Sequence, residues 1–237
     1  MALVTAPIVD LQTATPRSRL VTFDLQGRPL PFEPGQAVMV GAHEQSERRP
    51  YSIACSPEWT VETGRLELLV SVEPDGSLGR HFGPAARGMV VDIDGPIGTF
   101  TLPADSPAAW VLFVAGGTGI APLRSMLDHL LRGRPAHRLS LLYSARRPDE
   151  FAFIDELWAH SAAGLLELHQ TVTRDDSTGW TGLRGRIGPA HFEALLHEPA
   201  ATLCFACGPE SLVSESVATL SALGVPGSQI RTESWGR

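Results

Sequence analysis

A glycine-rich segment, GGTGIAP (116–122), is a strong chemical signal in the sequence. It lies between a continuous apolar run, 110–117, and a segment with helical spacing, 120–133. Glycines let a backbone approach a ligand closely, and a helix N-terminus attracts an anion. After the first strand of an open parallel sheet, this is the place where nucleotides bind. A tight turn without a ligand is the alternative, because the spacing departs from the G-x-G-x-x-G pattern.

The three cysteines bear on metal and redox chemistry. Cys55, Cys204 and Cys207 are too few for a disulfide framework or a four-cysteine iron–sulfur site. Cys204 and Cys207 have the C-x-x-C spacing of a metal or redox pair, but residues three apart on a strand point to opposite faces. We therefore predict that Cys204 is a core residue and that no metal is bound. The paired alternative requires the strand to end before Cys207.

The composition narrows the class of protein. All 19 basic residues are arginine, which excludes phosphate loops and Schiff bases that depend on lysine. The net charge of −7 argues against nucleic acid as the main partner. No apolar run approaches the ~20 residues that span a bilayer. The first residues lack a basic segment leading into an apolar block, so we expect a cytoplasmic protein without a secretory signal.

The two halves of the chain have different patterns. Five short strand-like runs precede residue 100, namely 20–25, 36–41, 50–55, 65–72 and 89–95. Within 65–72 the apolar residues alternate, which is typical of a half-buried strand in an antiparallel barrel or sandwich. After a linker at 102–110, strands at 110–117, 139–145, 165–173, 202–208 and 229–234 alternate with helices at 120–133, 149–162, 189–197 and 210–224. This alternation predicts a parallel sheet covered on both faces.

Three motifs, in this order, resemble those of the ferredoxin–NADP reductase superfamily: Arg49-Pro50-Tyr51-Ser52, the glycine segment 116–122, and Cys207-Gly208-Pro209. The resemblance covers nearly the whole chain. It implies an antiparallel six-stranded β-barrel that binds flavin over residues 1–104. An NAD(P)-binding α/β domain with a five-stranded parallel sheet would follow over residues 108–237. The segment Gly95-Pro96-Ile97-Gly98-Thr99-Phe100 matches the stretch that closes the barrel in this family.

The resemblance implies roles for the residues on the flavin side. Arg49 would bind the flavin pyrophosphate, Tyr51 would pack on the isoalloxazine ring, and the Ser52 hydroxyl would reach toward flavin N5. Without its flanking Arg and Ser, Tyr51 is an ordinary strand aromatic. A second turn that holds the pyrophosphate corresponds to residues 76–82 and contributes Gly76, Ser77 and Leu78. Gly79 stands where the family has a hydroxyl residue, so backbone N–H groups would substitute there.

The resemblance also implies roles on the nicotinamide side. Cys207 would lie beside nicotinamide C4, and Ser52, Cys207 and Glu233 would line the hydride path. Trp235 would shield the flavin ring. The other implied nucleotide ligands are Gly117, Thr118, Gly119, Pro122, Gly208 and Pro209. A solvated terminal carboxylate is the alternative for Glu233, and a frayed chain end is the alternative for Trp235.

The cofactor prediction is FAD, with FMN as a possibility within the family, and NADPH in preference to NADH. Relatives that prefer NADH often carry an acidic residue where Thr173 stands. Here Thr173 is followed by Arg174, which would bind a 2′-phosphate with a bidentate charge-assisted bond. Further basic or polar candidates for that place are Ser144, Arg146 and Arg184. In the opposite interpretation, Asp175 or Asp176 supplies a carboxylate and NADH is preferred.

The resemblance implies an enzyme that passes hydride from NAD(P)H to flavin and then passes electrons to an external acceptor. The family's usual acceptor is a small ferredoxin or flavodoxin. Two alternatives stay open. One is a flavin reductase or the reductase component of an oxygenase, with free flavin or a separate oxygenase component as acceptor. The other is a flavin-bearing electron-transfer subunit of a larger complex, although the C-terminal cysteine cluster frequent in such subunits is missing from this sequence.

Overall fold

The chain forms two compact units in a computed structural model that describes residues 2–72, 78, 82, 85–103, 108–133, 137–175 and 177–235. The first unit comprises Met1–Leu102 together with Arg124–Leu130, and the second comprises Pro103–Leu123 together with Leu131–Arg237. The predicted linker falls partly outside the described residues, because 104–107 are not among them. The domain boundary at 104–108 therefore stays a prediction.

Antiparallel strands build the first unit. Within the described residues they are β1 (Ala2–Thr15), β2 (Ser18–Asp24), β3 (Ala37–Ala42), β4 (Arg49–Ser52), β5 (Arg65–Ser71) and β6 (Val90–Ile97). They form one six-stranded sheet in the order β4-β3-β6-β1-β2-β5. The two outer strands meet where Ile53, directly after β4, forms an antiparallel bridge with Leu68 of β5. The predicted six-stranded antiparallel barrel is confirmed.

Alternating side chains fill this barrel. In β5, Leu66, Leu68 and Val70 are buried, whereas the flanking Arg65 and Ser71 are exposed. The buried residues of β5 join those of the other strands in one hydrophobic core. Because side chains alternate along a strand, a slip of one residue would turn this apolar set toward solvent. The core therefore fixes which face each strand presents.

Parallel strands build the second unit. In the part of the chain that the structure describes, they are β7 (Trp110–Gly116), β8 (Arg138–Ala145), β9 (Glu167–Val172), β10 (Leu183–Arg184), β11 (Thr202–Gly208) and β12 (Ile230–Ser234). The sheet order is β10-β9-β8-β7-β11-β12. The chain thus runs outward from β7 on one side and returns to the other side with β11. Ligands of such sheets bind outside the carboxyl ends of the strands at the point of reversal, which here is between β7 and β11.

The prediction of five strands in this sheet is wrong, because the sheet has six within the described residues. The additional strand, β10, pairs Leu183 and Arg184 in parallel with Thr171 and Val172 of β9. Both residues of β10 are exposed. A strand of two exposed residues has no alternating apolar pattern by which the sequence could predict it.

Helices connect the strands of the second unit, and one short helix belongs to the first. The described helices are α1 (Pro57–Thr63), α2 (Ile120–Arg132), α3 (Ile154–Ala162), α4 (Pro189–Glu193) and α5 (Glu210–Ala222). The four predicted helices are present, but α3 begins later and α4 ends earlier than predicted. Among the helices that the structure describes, none has the length and apolar character that crossing a membrane requires.

The middle of α2 belongs to the first unit and holds the chain segment that follows β4. The Arg124 guanidinium donates to the Ala54 carbonyl at 2.8 Å and to Glu67 Oε2 at 2.9 Å. The Ser125 hydroxyl donates to the Cys55 carbonyl at 2.6 Å. Buried carbonyls outside a sheet need such partners, because an unsatisfied polar group costs free energy. The segment that follows the Arg-Pro-Tyr-Ser motif is therefore fixed by side chains of α2.

Candidate cofactor sites

The strand β4 places the Arg-Pro-Tyr-Ser motif along one edge of the barrel sheet. Within the described residues, Arg49–Ser52 pairs with β3 alone, with Arg49 opposite Val40 and Ser52 opposite Ala37. Pro50 has no N–H to donate and is suited to an edge strand. Because side chains alternate, Arg49 and Tyr51 share one face of the strand. The predicted flavin residues of this motif are thus brought together by a single strand.

The chemistry of this strand fits a flavin. The Arg49 side chain is 54% exposed, and its Nη2 lies 3.7 Å from Oε1 of the equally exposed Glu47. An exposed pair of this kind contributes little, so the guanidinium can bind a phosphate. The half-buried Tyr51 ring packs at 5.5 Å from the Phe82 ring and is tilted by 60°. Arg49 thus suits the pyrophosphate, and Tyr51 suits a planar ring.

The second predicted pyrophosphate turn lies mostly outside the described residues. Gly76 and Ser77, as well as Gly79, are not among them. Leu78 is described and is buried in the barrel core together with Phe82. The roles of Gly76, Ser77 and Leu78 therefore stay predictions.

The loop between β7 and α2 fits a pyrophosphate. Gly117 has a left-handed φ of +55°, and apart from its chain neighbours no described residue lies within 4 Å of the place where a Cβ would stand. The open space beside Gly117 and the N-terminus of the following helix provide N–H groups and a partial positive charge for an anion. Pro122 lies in the first turn of α2, where its missing N–H costs no helical hydrogen bond.

Gly119 brings this loop against the end of β11. A Cβ at Gly119 would stand 2.3 Å from the Cys207 carbonyl oxygen, a distance that no side chain tolerates. The two motifs, glycine loop and Cys-Gly-Pro, are therefore in direct backbone contact within the second unit. This contact lies at the point where the strand order reverses, which is the expected place for a nucleotide.

Tyr143 ties the glycine loop to the next loop of the sheet. Its hydroxyl donates to the Gly117 carbonyl at 3.0 Å and accepts from the Ala152 N–H at 3.2 Å. The side chain is fully buried, and this burial raises the pKa of Tyr143, so the phenol stays neutral. Sequence reasoning missed Tyr143, and the only signal was a phenol within the apolar run 139–145.

Cys207 and Glu233 lie side by side on neighbouring strands. They are register partners of β11 and β12, and Cys207 Sγ lies 4.0 Å from Glu233 Oε2. Burial, followed by the negative charge of Glu233, raises the pKa of the Cys207 thiol. The thiol is therefore neutral at physiological pH. Cys204 lies in the hydrophobic core of the same unit, and burial raises its pKa to about 12, as suits a core residue.

Charged residues gather at the ends of β8 and β9. The Arg174 N–H donates to the Arg146 carbonyl at 2.8 Å, so these two arginines follow neighbouring strand ends. The Arg184 guanidinium instead donates to the carbonyls of Asp175, Ser177 and Trp180, and lies 3.7 Å from Asp175 Oδ2. Arg184 thus organises its own loop. Arg146 and Arg174 remain as the basic pair of this edge, and Asp176 lies outside the described residues.

Metal ligation has no support in the described residues, since no group of three or more His, Cys, Asp or Glu side chains there could hold an ion.

Two domain families match the chain. The oxidoreductase FAD-binding domain matches residues 5–102, and the oxidoreductase NAD-binding domain matches residues 113–217. Ferredoxin–NADP reductase B of Sorangium cellulosum is 32% identical over 239 residues, which cover 96% of each chain. The chain belongs to the ferredoxin–NADP reductase superfamily.

Solved structures of this superfamily have the same fold. A ferredoxin–NADP reductase of Neisseria gonorrhoeae, solved with bound FAD and NADP, has a TM-score of 0.80 and 25% identity over 99% of both chains. A cytochrome P450 reductase of Amycolatopsis has a TM-score of 0.84 and 25% identity, over 98% of this chain and 69% of its own.

Other relatives are longer than this chain. The glycine betaine monooxygenase reductase subunit of Chromohalobacter salexigens is 29% identical over 211 residues, which cover 86% of this chain and 56% of the relative. Together, the domain families and the relatives make the protein an FAD-dependent NAD(P)H oxidoreductase that transfers electrons.

Replacing Tyr143 with Phe tests whether the buried hydroxyl shapes the nucleotide loop. We expect the affinity for NADP⁺ to fall about tenfold, because the Gly117 carbonyl loses the bond that holds the loop and the buried Ala152 N–H is left unsatisfied, at a cost of ~1–3 kcal/mol. The FAD affinity should equal that of the parent. Calorimetric titration with NADP⁺ and fluorescence titration with FAD measure the two affinities.

Ser140→Ala is the matched control for Tyr143→Phe. Ser140 lies on the same strand, is buried, and donates to Glu167 Oε2 at 3.3 Å, at the amino end of the sheet. Its loss should leave the NADP⁺ affinity unchanged. A Tyr143→Phe variant that binds NADP⁺ as tightly as the parent would show that the hydroxyl does not support the loop.

Proposed function

We propose that the protein is an NADPH-dependent reductase of a small external electron carrier, a ferredoxin or a flavodoxin. The match to a ferredoxin–NADP reductase along 96% of both chains is the observation that carries this proposal. When bound, FAD supplies the chemistry that turns the hydride of a nicotinamide into single electrons. The protein's own residues bind, orient and shield the reacting groups. A cytoplasmic location accords with three free cysteines that are all buried.

The proposed flavin ligands are those of β4. Arg49 binds the pyrophosphate through its planar guanidinium, whose geometry matches phosphate oxygens. Tyr51 presents a ring face to the isoalloxazine, and the buried Ser52 hydroxyl donates or accepts beside N5. The second turn of the family adds Gly76, Ser77 and Leu78.

The proposed nucleotide ligands lie at the carboxyl ends of β7 and β11. The N–H groups of Gly117, Thr118 and Gly119 bind the pyrophosphate, and the neutral thiol of Cys207 lies beside nicotinamide C4. A neutral thiol suits this place, because it adds no charge next to the atom that loses hydride. The remaining proposed contacts come from Pro122, Gly208, Pro209, Glu233 and Trp235.

The proposed preference for NADPH rests on Arg174 and Arg146. Arg174 is exposed, follows the neutral Thr173, and is joined to Arg146 through its backbone N–H. Two guanidinium groups at one edge favour a 2′-phosphate, which accepts charge-assisted hydrogen bonds. The competing carboxylate of Asp175 is paired with Arg184, so it is less available for a ribose hydroxyl.

A second candidate function is that of a reductase component for an oxygenase. The observation in its favour is the similarity to reductase components such as the xylene/toluene monooxygenase electron transfer component of Pseudomonas putida, which is 30% identical over 198 residues. This chain covers 55% of that protein. The two candidate functions share every site residue and differ in the acceptor.

A comparison of acceptors tests the proposed function. We expect the purified full chain with FAD to reduce ferredoxin or flavodoxin with NADPH, at a catalytic efficiency well above that for free FMN or riboflavin. Reduction of cytochrome c through each carrier measures the transfer. Activity with free flavin alone would contradict the proposal and favour a flavin reductase. Activity only with an oxygenase component would favour the second candidate.

Replacing Cys207 with Ala tests its place beside the nicotinamide. We expect NADPH to reduce the bound flavin about tenfold more slowly, with little change in NADP⁺ affinity, because a contact made mainly in the transition state affects rate rather than binding. Stopped-flow absorption measures the reduction. Cys204→Ala, three residues earlier in the core of the same strand, should retain the parent rate. Equal rates for Cys207→Ala and parent would reject the role.

Replacing Arg174 with Ala tests the choice of nucleotide. We expect the ratio of kcat/KM for NADPH over NADH to fall at least about tenfold, which corresponds to ~1.4 kcal/mol, with NADH turnover nearly intact. Arg186 is the control, since it is exposed and lies 3.6 Å from Glu215 Oε1. An Arg174→Ala variant with the parent's preference would show that the phosphate is bound elsewhere.

A further inference from the structure

Two consecutive arginines at the start of β4 have opposite surroundings. The Arg48 side chain is 27% exposed, with Nη2 at 3.6 Å from Asp92 Oδ2 and Nη1 at 4.0 Å from Asp94 Oδ2. The Arg49 side chain is 54% exposed and lies 3.7 Å from the exposed carboxylate of Glu47. The Arg48 guanidinium is therefore paired with carboxylates of the barrel, whereas the Arg49 guanidinium is exposed to solvent.

The carboxylate of Asp92 on β6 contacts both ends of the loop that leads into β4. Its side chain is 8% exposed. It accepts from His43 Nδ1 at 2.9 Å and from the Glu44 N–H at 3.2 Å, both at the start of the loop. The guanidinium of Arg48 contacts it at the end of the same loop. Asp92 thus joins the residue that leaves β3 to the residue that enters β4.

The environment of Asp92 keeps this carboxylate charged. Burial acts to raise the pKa of Asp92, but hydrogen bonds from His43, Thr5 and the Glu44 N–H outweigh it, and the net pKa is lowered. The Thr5 hydroxyl donates to Oδ1 at 2.9 Å, from the neighbouring strand β1. Asp92 therefore stays ionised in the folded protein and can hold a cation.

The loop also lies directly on the strand beneath it. A Cβ at Gly41 would stand 2.2 Å from the Glu47 carbonyl oxygen and 2.9 Å from Arg48 Cγ. The returning end of the loop is thus in contact with the β3 backbone. The stem of Arg48 lies against Gly41, which is the register partner of Asp92.

Because side chains alternate, the contact between Arg48 and Asp92 determines which face of the strand Arg49 occupies. Successive side chains of a strand point to opposite faces, and a slip of one residue exchanges them. With Arg48 bound to Asp92, Arg49 faces the other way. A slip of one residue would bind Arg49 to Asp92 and expose Arg48 one position away along the strand.

We propose that Asp92 is a positioning residue that fixes the register of β4, so that Arg49 and not Arg48 binds the flavin pyrophosphate. This inference rests on the proposed role of Arg49. Asp92 acts through the loop and touches no cofactor. Asp92, His43 and Arg48 all lie in the described part of the barrel.

Flavin affinities of Asp92→Asn test the proposal. The asparagine keeps the shape of the side chain but loses its charge. Because an amide has one oxygen, it cannot accept at both positions where His43 and the Glu44 N–H donate to Asp92. The full-length chain, freed of flavin, is titrated with FAD and with riboflavin, which has no phosphate, and quenching of flavin fluorescence is followed. We expect FAD affinity to fall about tenfold, as for loss of a charge-assisted contact, and riboflavin affinity to stay within about twofold of the parent.

A double-mutant cycle separates positioning from general loss of structure. Arg49→Ala should weaken FAD binding, and adding Asp92→Asn to it should cause no further loss. Asp24→Asn is the control, because Asp24 also accepts a backbone N–H, from Gln26 at 2.8 Å, but lies away from the loop. His43→Ala, on a half-exposed side chain, is the second variant if Asp92→Asn does not fold, and should weaken FAD binding about threefold without affecting riboflavin.

Three results would overturn the proposal. In the first, Asp92→Asn binds FAD as tightly as the parent. In the second, its affinities for FAD and for riboflavin fall equally. In the third, its effect on FAD affinity adds in full to that of Arg49→Ala. These leave the proposed reductase function intact. If Arg49→Ala itself binds FAD like the parent, the assignment of Arg49 fails, and the inference falls with it.

Discussion

The backbone contact between Gly119 and Cys207 is the constraint on which the chemistry of the second unit depends. With a Cβ position only 2.3 Å from the Cys207 carbonyl, residue 119 admits no side chain. The contact places the anion-binding end of α2 and the neutral Cys207 thiol at one point of the sheet edge. Tyr143 stabilises the same loop, because its buried hydroxyl donates to the Gly117 carbonyl. In the proposed function, a pyridine nucleotide with its pyrophosphate at the glycine loop would pass Cys207.

In the first unit, charged and polar side chains hold the strand that carries the Arg-Pro-Tyr-Ser motif. Its functional strand β4 is short, has only four residues, and includes a proline. Such a strand has few ladder hydrogen bonds to define its register. Side chains add further contacts on both sides of β4. Asp92 contacts Arg48, directly before the strand, and Arg124 and Ser125 donate hydrogen bonds to the segment directly after it. The motif is thus held at both ends by side chains from other elements.

Much of the fold could be predicted from the sequence, and the exceptions have physical causes. The buried strands of the second unit were predicted because parallel strands are continuous apolar runs. β1 was missed because its threonines and Pro7 give a weak strand pattern. The helix α1 was missed although Ser56 and Pro57 are a typical N-cap and first position, and Ser56 does accept from the Trp59 N–H. β10 exists through backbone pairing and has no pattern of its own.

The site residues divide in the same way. The motifs of β4, the glycine loop and the Cys-Gly-Pro turn lie in strands and turns as the sequence predicts, and the roles of their residues stay predictions. Tyr143 and Asp92 form hydrogen bonds with backbone groups that are far away along the chain, and no local sequence pattern predicts such partners. Arg184 was expected in a basic pocket, but its guanidinium is directed by carbonyls of its own loop. The motif selects Arg49 over Arg48 in the sequence, but the contacts of Arg48 with Asp92 and Asp94 are visible only in the structure.

Anaerobic titration of the flavin-loaded protein with NADPH, followed by visible absorption, shows whether this single chain binds FAD and accepts hydride from a nicotinamide. We expect one equivalent of NADPH to bleach the absorption of the oxidised flavin and a one-electron acceptor to restore it. A protein that binds no FAD, or a bound flavin that neither NADPH nor NADH bleaches, would rule out hydride transfer from a nicotinamide to flavin in this chain.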